Sequence, residues 1–128
     1  MKLAYVLHYV DDVEQTMHFY EKAFGLSSGF LHESKQYGEM ATGATKLGFV
    51  QHGTAQSHGF TYEPMQPTKA SAATEIGFVA DDVSKAFEKA VKAGAQSLSQ
   101  PIQKPWGQWV AYVRDCNGFL VEICSAMS

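Results

Sequence analysis

Two tryptophans stand close together in Lys104-Pro105-Trp106-Gly107-Gln108-Trp109, a stretch of loop-forming composition. An indole held beside a cavity can stack on a ligand or a cation. On that ground Trp106 is expected at a pocket. Trp109, inside the strand that follows, is expected in the core or at an interface. Five histidines (His8, His18, His32, His52 and His58) offer imidazoles for proton transfer or metal binding. Arg114 is the only arginine. Cys116 and Cys124 are too few for a disulfide framework and read as reduced thiols.

The elements that must position these groups are bounded by composition. The chain has 128 residues, enough for one compact domain or two tightly fused halves. Hydrophobic residues make up 45% and charged residues 18%, an ordinary globular balance. A net charge of −3 argues against a nucleic-acid partner, which would favour a basic face. No apolar run approaches the roughly 18 residues that a membrane span requires. The chain starts directly in a strand-like pattern, Tyr5-Val6-Leu7-His8, without a secretion signal, so a cytoplasmic location is expected.

The sequence repeats itself. Tyr9-Val10-Asp11-Asp12-Val13 returns 70 residues later as Val79-Ala80-Asp81-Asp82-Val83. In the first copy Val13, Met17, Tyr20 and Phe24 fall on one face of a helix. Asp12 followed by Gln15 resembles a capping box, and Gly25 can end the helix in a left-handed turn. In the second copy Val83, Phe87, Ala90 and Val91 make the stripe, Asp82 caps it and Gly94 ends it. Strand-like segments follow each helix: 29–33, 37–42 and 46–51, then 96–98, 108–114 and 119–124. Thr42-Gly43-Ala44-Thr45 and Asp115-Cys116-Asn117-Gly118 are the expected hairpin turns. The pattern is β-α-β-β-β, twice. Residues 53–73, rich in Gly, Ser, Thr and Pro, read as a long connection that either covers a pocket or serves as a plain linker.

A duplicated βαβββ chain carrying Phe19-Tyr20-Glu21-Lys22-Ala23-Phe24-Gly25-Leu26 after an Asp-Asp-Val start resembles the glyoxalase, bleomycin-resistance and extradiol-dioxygenase superfamily, the vicinal-oxygen-chelate proteins. Val113-Arg114-Asp115-Cys116-Asn117-Gly118-Phe119-Leu120-Val121-Glu122 looks like its usual last hairpin, with Cys116 where Pro is commoner. The resemblance implies an α+β fold of two βαβββ modules forming cupped, mostly antiparallel sheets with helices outside. Residues 1–128 would then be a single domain: module one over 1–52, the connection over 53–73 and module two over 74–128. It also implies members that pair as homodimers. Function does not follow from this fold, which hosts lyases, isomerases, dioxygenases and metal-free binding proteins.

In metal-dependent members, four equivalent strand positions supply His, Glu or Gln ligands. Carried onto this chain, they are Tyr5, Gly48, Glu75 and Glu122. That is a poor set, because zinc, iron, cobalt and nickel favour imidazole. His8 is close to the first position, but strand alternation puts Tyr5, Leu7 and Tyr9 on one face and His8 on the other. No cofactor is therefore expected, with a divalent ion in a rearranged site as the alternative.

What remains at the implied pocket is Glu75 and Glu122 as candidate acid and base, with Tyr5, Tyr9, Gly48, Trp106 and Arg114 as ligand-binding residues and Phe30 and Tyr37 as further lining. Two close carboxylates repel, so one pKa should rise and the pair can share a proton. The expected partner is a small neutral or cationic molecule with an apolar part. Anionic glutathione conjugates would need more than Arg114 and Lys104, which argues against lactoylglutathione lyase activity. The alternative is an enzyme of the same superfamily, with a lyase or isomerase favoured over a dioxygenase.

Overall fold

The computed structural model describes residues 1–127. Each copy of the repeat becomes a four-stranded sheet with a helix laid on one face. The first copy runs β1 (Tyr5–Val10), α1 (Val13–Phe24), β2 (Ser28–Leu31), β3 (Tyr37–Met40) and β4 (Lys46–Gln51). After a short α2 (His52–Gln56), the second runs β5 (Glu75–Val79), α3 (Val83–Lys92), β6 (Gln96–Gln103), β7 (Trp109–Arg114) and β8 (Leu120–Cys124). Strand orders are β1-β4-β3-β2 and β5-β8-β7-β6. In both sheets the outer first strand pairs parallel with the last, and the other pairings are antiparallel. The α+β fold of two βαβββ modules read from the sequence is the fold observed.

The helix signals act as expected. Asp12 accepts from the Gln15 amide at 2.9 Å and Asp82 from the Lys85 amide at 3.0 Å, each satisfying a free N-terminal donor. Gly25 closes α1 at φ 68°. Val13, Met17 and Tyr20 are buried, as are Val83, Phe87 and Ala90. Val91 departs from its expectation: it is exposed, because it lies one step round the helix from the Val83–Phe87–Ala90 stripe.

Two further differences have physical reasons. The strand expected over 96–98 continues to Gln103, through Pro101. It is an edge strand with two register shifts, a place where a missing amide donor is tolerated. The connection expected over 53–73 opens with α2, whose first turn is capped by the Gln51 side chain accepting from the Gly53 amide at 2.8 Å. The chain also divides into two compact units inside that connection: residues 1–21 with 25–64, and residues 22–24 with 65–128.

Within each unit the strand alternation separates two faces. In the first, Val10, Met40 and Phe49 join Val13, Met17 and Tyr20 in the core under α1. His8 is on this face too, against Phe49, and burial pulls its pKa down to about 4. Tyr5 and Leu7 lie on the opposite face and are exposed. In the second unit Ala111, Val113, Val121 and Ile123 are buried, while Glu122 and Tyr112 alternate with them onto the other face. That second face of each sheet carries the polar groups.

Candidate functional site

Glu122 sits in the middle of β8, between buried Val121 and Ile123, so the pleat alone turns it to the polar face. Its register partners are Tyr112 on β7 and Gly77 on β5. Tyr112 Oη donates to Glu122 Oε1 at 2.9 Å. Gly77 has no side chain, and a Cβ built there would lie 4.0 Å from Glu122 Oε2, so bare backbone leaves that oxygen open. Glu75, one pleat along β5, lies within reach of the Glu122 charge. Like charges this close favour the state in which one carboxyl holds a proton.

The electrostatics agree. Loss of water contact, then the charge of Glu122, hold the Glu75 carboxyl above its ordinary value. Burial, then the hydrogen bond and charge of Glu122, push the Tyr112 phenol up to about 12, so it stays a donor. Cys124, buried two residues beyond Glu122, has its thiol raised by burial and by the same carboxylates. It is a poor nucleophile there. The cluster is an acidic, hydrogen-bonding site in which a proton on Glu75 is favoured: it can accept from an amine or hydroxyl donor.

Trp106 is tied to the end of β8 through one amide. Its Nε1 donates to Gln108 Oε1 at 2.9 Å, and Gln108 in turn donates to the Ser125 carbonyl at 2.9 Å, just beyond Cys124. The indole lines a cavity of about 170 Å³ with Gln108 and Met127. Trp109, expected in the core or an interface, is 44% exposed, and lines a separate cavity of about 250 Å³ with Asp81, Asp82 and Ser125. Its position at the start of β7, where the sheet ends, leaves nothing in the unit to bury it.

The structure puts Arg114 to structural use. Only 6% of it is exposed, and its guanidinium is spent on the backbone. Nε donates to the Gly118 carbonyl at 2.7 Å, Nη1 to those of Pro67 and Lys69 at 3.2 and 2.6 Å, and Nη2 to that of Gln66 at 3.0 Å. Met65 Sδ takes the remaining donor direction at 4.0 Å. The only arginine therefore clamps the connecting segment to the hairpin, and no N–H is left for an anionic ligand.

The first unit carries a related arrangement. Gly48, central in β4, is paired with Leu7 and Glu39. A Cβ at Gly48 would come within 2.7 Å of Leu7 Cδ2 and 3.4 Å of Tyr37 Oη, so the glycine makes room for both. Tyr37 Oη donates to Glu39 Oε2 at 2.6 Å. Burial, then Glu39 and the charge of Tyr5, raise the Tyr37 phenol. Thus Tyr5 and Gly48 lie on the polar face as expected, and the carboxylate that Gly48 does not provide is present one strand over, on Glu39. Tyr9 lies on this face as well, with Tyr62 packed on its ring at 4.9 Å between centroids. Glu39 and Tyr112 are absent from the sequence-level site; strand parity in β3 and β7 was the signal that could have found them.

A metal fits these residues poorly. Tyr5 offers only a phenol, Gly48 has no side-chain donor atom, and Glu122 already accepts from Tyr112. His8, the nearest imidazole in sequence, faces the core. Among the described residues no three His, Cys, Asp or Glu side chains gather as a metal site would require. No helix among them is long and apolar enough to cross a membrane.

The comparisons with known proteins agree with this architecture. A glyoxalase-related enzyme from Fulvimarina pelagi superposes with a TM-score of 0.84 at 19% identity, covering 98% of this chain and 88% of that one. A glyoxalase/bleomycin resistance protein/dioxygenase family enzyme from Burkholderia phytofirmans PsJN gives 0.77 at 20% identity, and TioX from Micromonospora sp. ML1 gives 0.72 at 21%, each covering 98% of both chains. At such identities the likeness is one of fold. No curated protein sequence matches the chain. The model of the glyoxalase-like domain matches residues 3–128. Nearly its whole length being matched, the chain belongs to the glyoxalase-like domain family.

Proposed function

We propose that this protein binds a small molecule carrying an amine or hydroxyl donor and an apolar part, at the polar face of the second sheet and without a resident metal. The observation that carries this reading is the Glu75–Glu122 pair with Tyr112 donating into it. A cationic amine can do what a proton on Glu75 does: it offsets the charge of the pair, and it supplies donors for the carboxylate oxygens. Apolar Leu120 and exposed Val79 flank the carboxylates on the same face and suit a hydrocarbon or ring attached to the amine.

Titration with benzylamine, followed by the fluorescence of Trp106 and Trp109, tests the reading. The expected result is a saturable change that benzoate does not produce and that Glu122→Gln weakens at least tenfold. An equal response to benzylamine in the wild type and in Glu122→Gln would refute it.

A second reading, a metal-free lyase or isomerase, is favoured by one observation. Glu75 holds its proton above the ordinary carboxyl range while its partner accepts from Tyr112. That division suits one general acid and one general base. It would require Glu75→Gln and Glu122→Gln each to abolish turnover of a substrate that both variants still bind.

A further inference from the structure

Where β1 and β4 both end, three side chains from separate segments line up. His52 follows β4 directly. Its Nδ1 lies 2.6 Å from the Tyr62 hydroxyl and its Nε2 lies 3.6 Å from an Asp11 carboxylate oxygen. The imidazole side chain is 15% exposed, and its ring is inclined only 20° to that of Tyr62. Tyr62 is itself held by packing, with Tyr9 at 4.9 Å and Phe60 at 6.4 Å between ring centroids. Tyr62, Phe60, Thr61, Gln56 and Gly59 line a cavity of about 350 Å³. That volume is within the range of small-ligand sites and suits a molecule with one ring.

The Asp11 carboxylate favours the imidazole tautomer with its proton on Nε2, which leaves Nδ1 to accept the phenol proton. Carboxylate, imidazole and hydroxyl in this order form the arrangement by which an attacking hydroxyl loses its proton to a positioned base. We infer that Tyr62 is a second reactive centre, a nucleophilic hydroxyl backed by His52 and Asp11, which takes acyl groups from small aromatic esters bound in this cavity. Tyr62 Oη bonds to the ester carbonyl carbon while its proton passes to His52 Nδ1. Asp11 stabilises the imidazolium. The bond from the carbonyl carbon to the aryl oxygen then breaks, and the departing aryloxide takes the proton from His52. Water, with His52 again as base, returns the acyl group as a carboxylic acid and restores the phenol.

Burial first, then the neighbouring Tyr9 and Asp11, raise the Tyr62 pKa, so a free tyrosinate is not the nucleophile. The proton has to leave during attack, which is the service His52 provides. No group of this relay belongs to the Glu75–Glu122 cluster, so amine binding and acyl transfer can fail separately.

The test is p-nitrophenyl acetate applied to the whole chain, with acetylation rates mapped by peptide mass spectrometry. Six tyrosines compete. Exposed Tyr5, which has no imidazole beside it, is the internal reference. Tyr62 should acetylate faster than Tyr5, and His52→Gln should slow Tyr62 by roughly a hundredfold, at the low end of what a general base supplies. Asp11→Asn alters an exposed side chain and keeps the test open should His52→Gln fail to fold; it should slow Tyr62 severalfold and leave Tyr5 unchanged. A Tyr62 rate no greater than that of Tyr5, or one unaffected by both substitutions, overturns the inference.

Discussion

Tyr112 and Glu122 face each other across the β7–β8 ladder, and the phenol donates to the carboxylate at 2.9 Å. The first unit has its own version: Tyr37 donates to Glu39 at 2.6 Å, two residues along one strand instead of across two. Both pairs lie on the sheet face turned away from the helix. A tyrosine that hands its proton to a glutamate fixes the carboxylate's orientation and leaves its other lone pairs for a ligand. The phenol in each pair is raised, so it remains the donor through the neutral range.

The raised pKa of Glu75 gives a pH dependence of definite sign. The folded state holds Glu75's proton more tightly than the unfolded chain, whose carboxyl titrates near 4.5. The contribution is therefore fully present below that value and is lost as pH rises through the elevated folded pKa. Urea unfolding of Glu75→Gln, compared with wild type across pH 4 to 8, should show the wild type losing ground relative to the variant as pH rises. Parallel curves would mean that folding does not raise the Glu75 pKa.

His8 acts in the opposite direction. Its pKa falls from 6.5 to about 4 on burial, so the unfolded chain takes up the proton first. The native state should lose about 3 kcal/mol as pH drops from 6.5 to 4. His8→Phe, carrying no titratable group, should flatten this slope in denaturant titrations while the α-helical circular dichroism is retained.

Arg114 should behave as a clamp. Arg114→Met leaves the Gly118, Pro67 and Lys69 carbonyls without a donor, while that of Gln66 keeps the Lys69 amide, and should cost about 2–4 kcal/mol. Arg114→Lys should recover little, since an ammonium cannot span the same fork of acceptors. Gly118→Ala should have a related effect, because φ is 98° and a Cβ would lie 2.8 Å from Arg114 Nη2 and 3.0 Å from Pro67 Cα. Limited proteolysis should cut first within residues 65–70 in all three variants, and an unchanged cleavage pattern would count against the clamp.

Much of this was legible in the sequence because it depends on local period. The Asp-Asp-Val starts, the helix stripes and the alternation in β1 that buries His8 while exposing Tyr5 and Leu7 are properties of neighbouring residues. What was not legible depends on distant partners. Arg114 reads as a free cation until residues 65–69 are seen to pass beside it. Trp109 reads as a core or interface residue, and its exposure within the chain follows from its place at a sheet end. Five-residue α2, with Gly53 and Thr54 and no apolar stripe, gives no helical signal, and Pro101 hides a strand that only an edge position allows. Strand parity puts Glu39 on the polar face, but its place beside Gly48 follows only from the β3–β4 register.

The most direct measurement of the central claim is a carboxyl-carbon NMR titration of Glu75 in the wild type and in Glu122→Gln, with and without benzylamine. Glu75 should titrate above the ordinary carboxyl value in the wild type and lower in Glu122→Gln, and benzylamine should lower it in the wild type. Titration of Glu75 at the ordinary value, indifferent to Glu122→Gln and to the amine, would contradict the account.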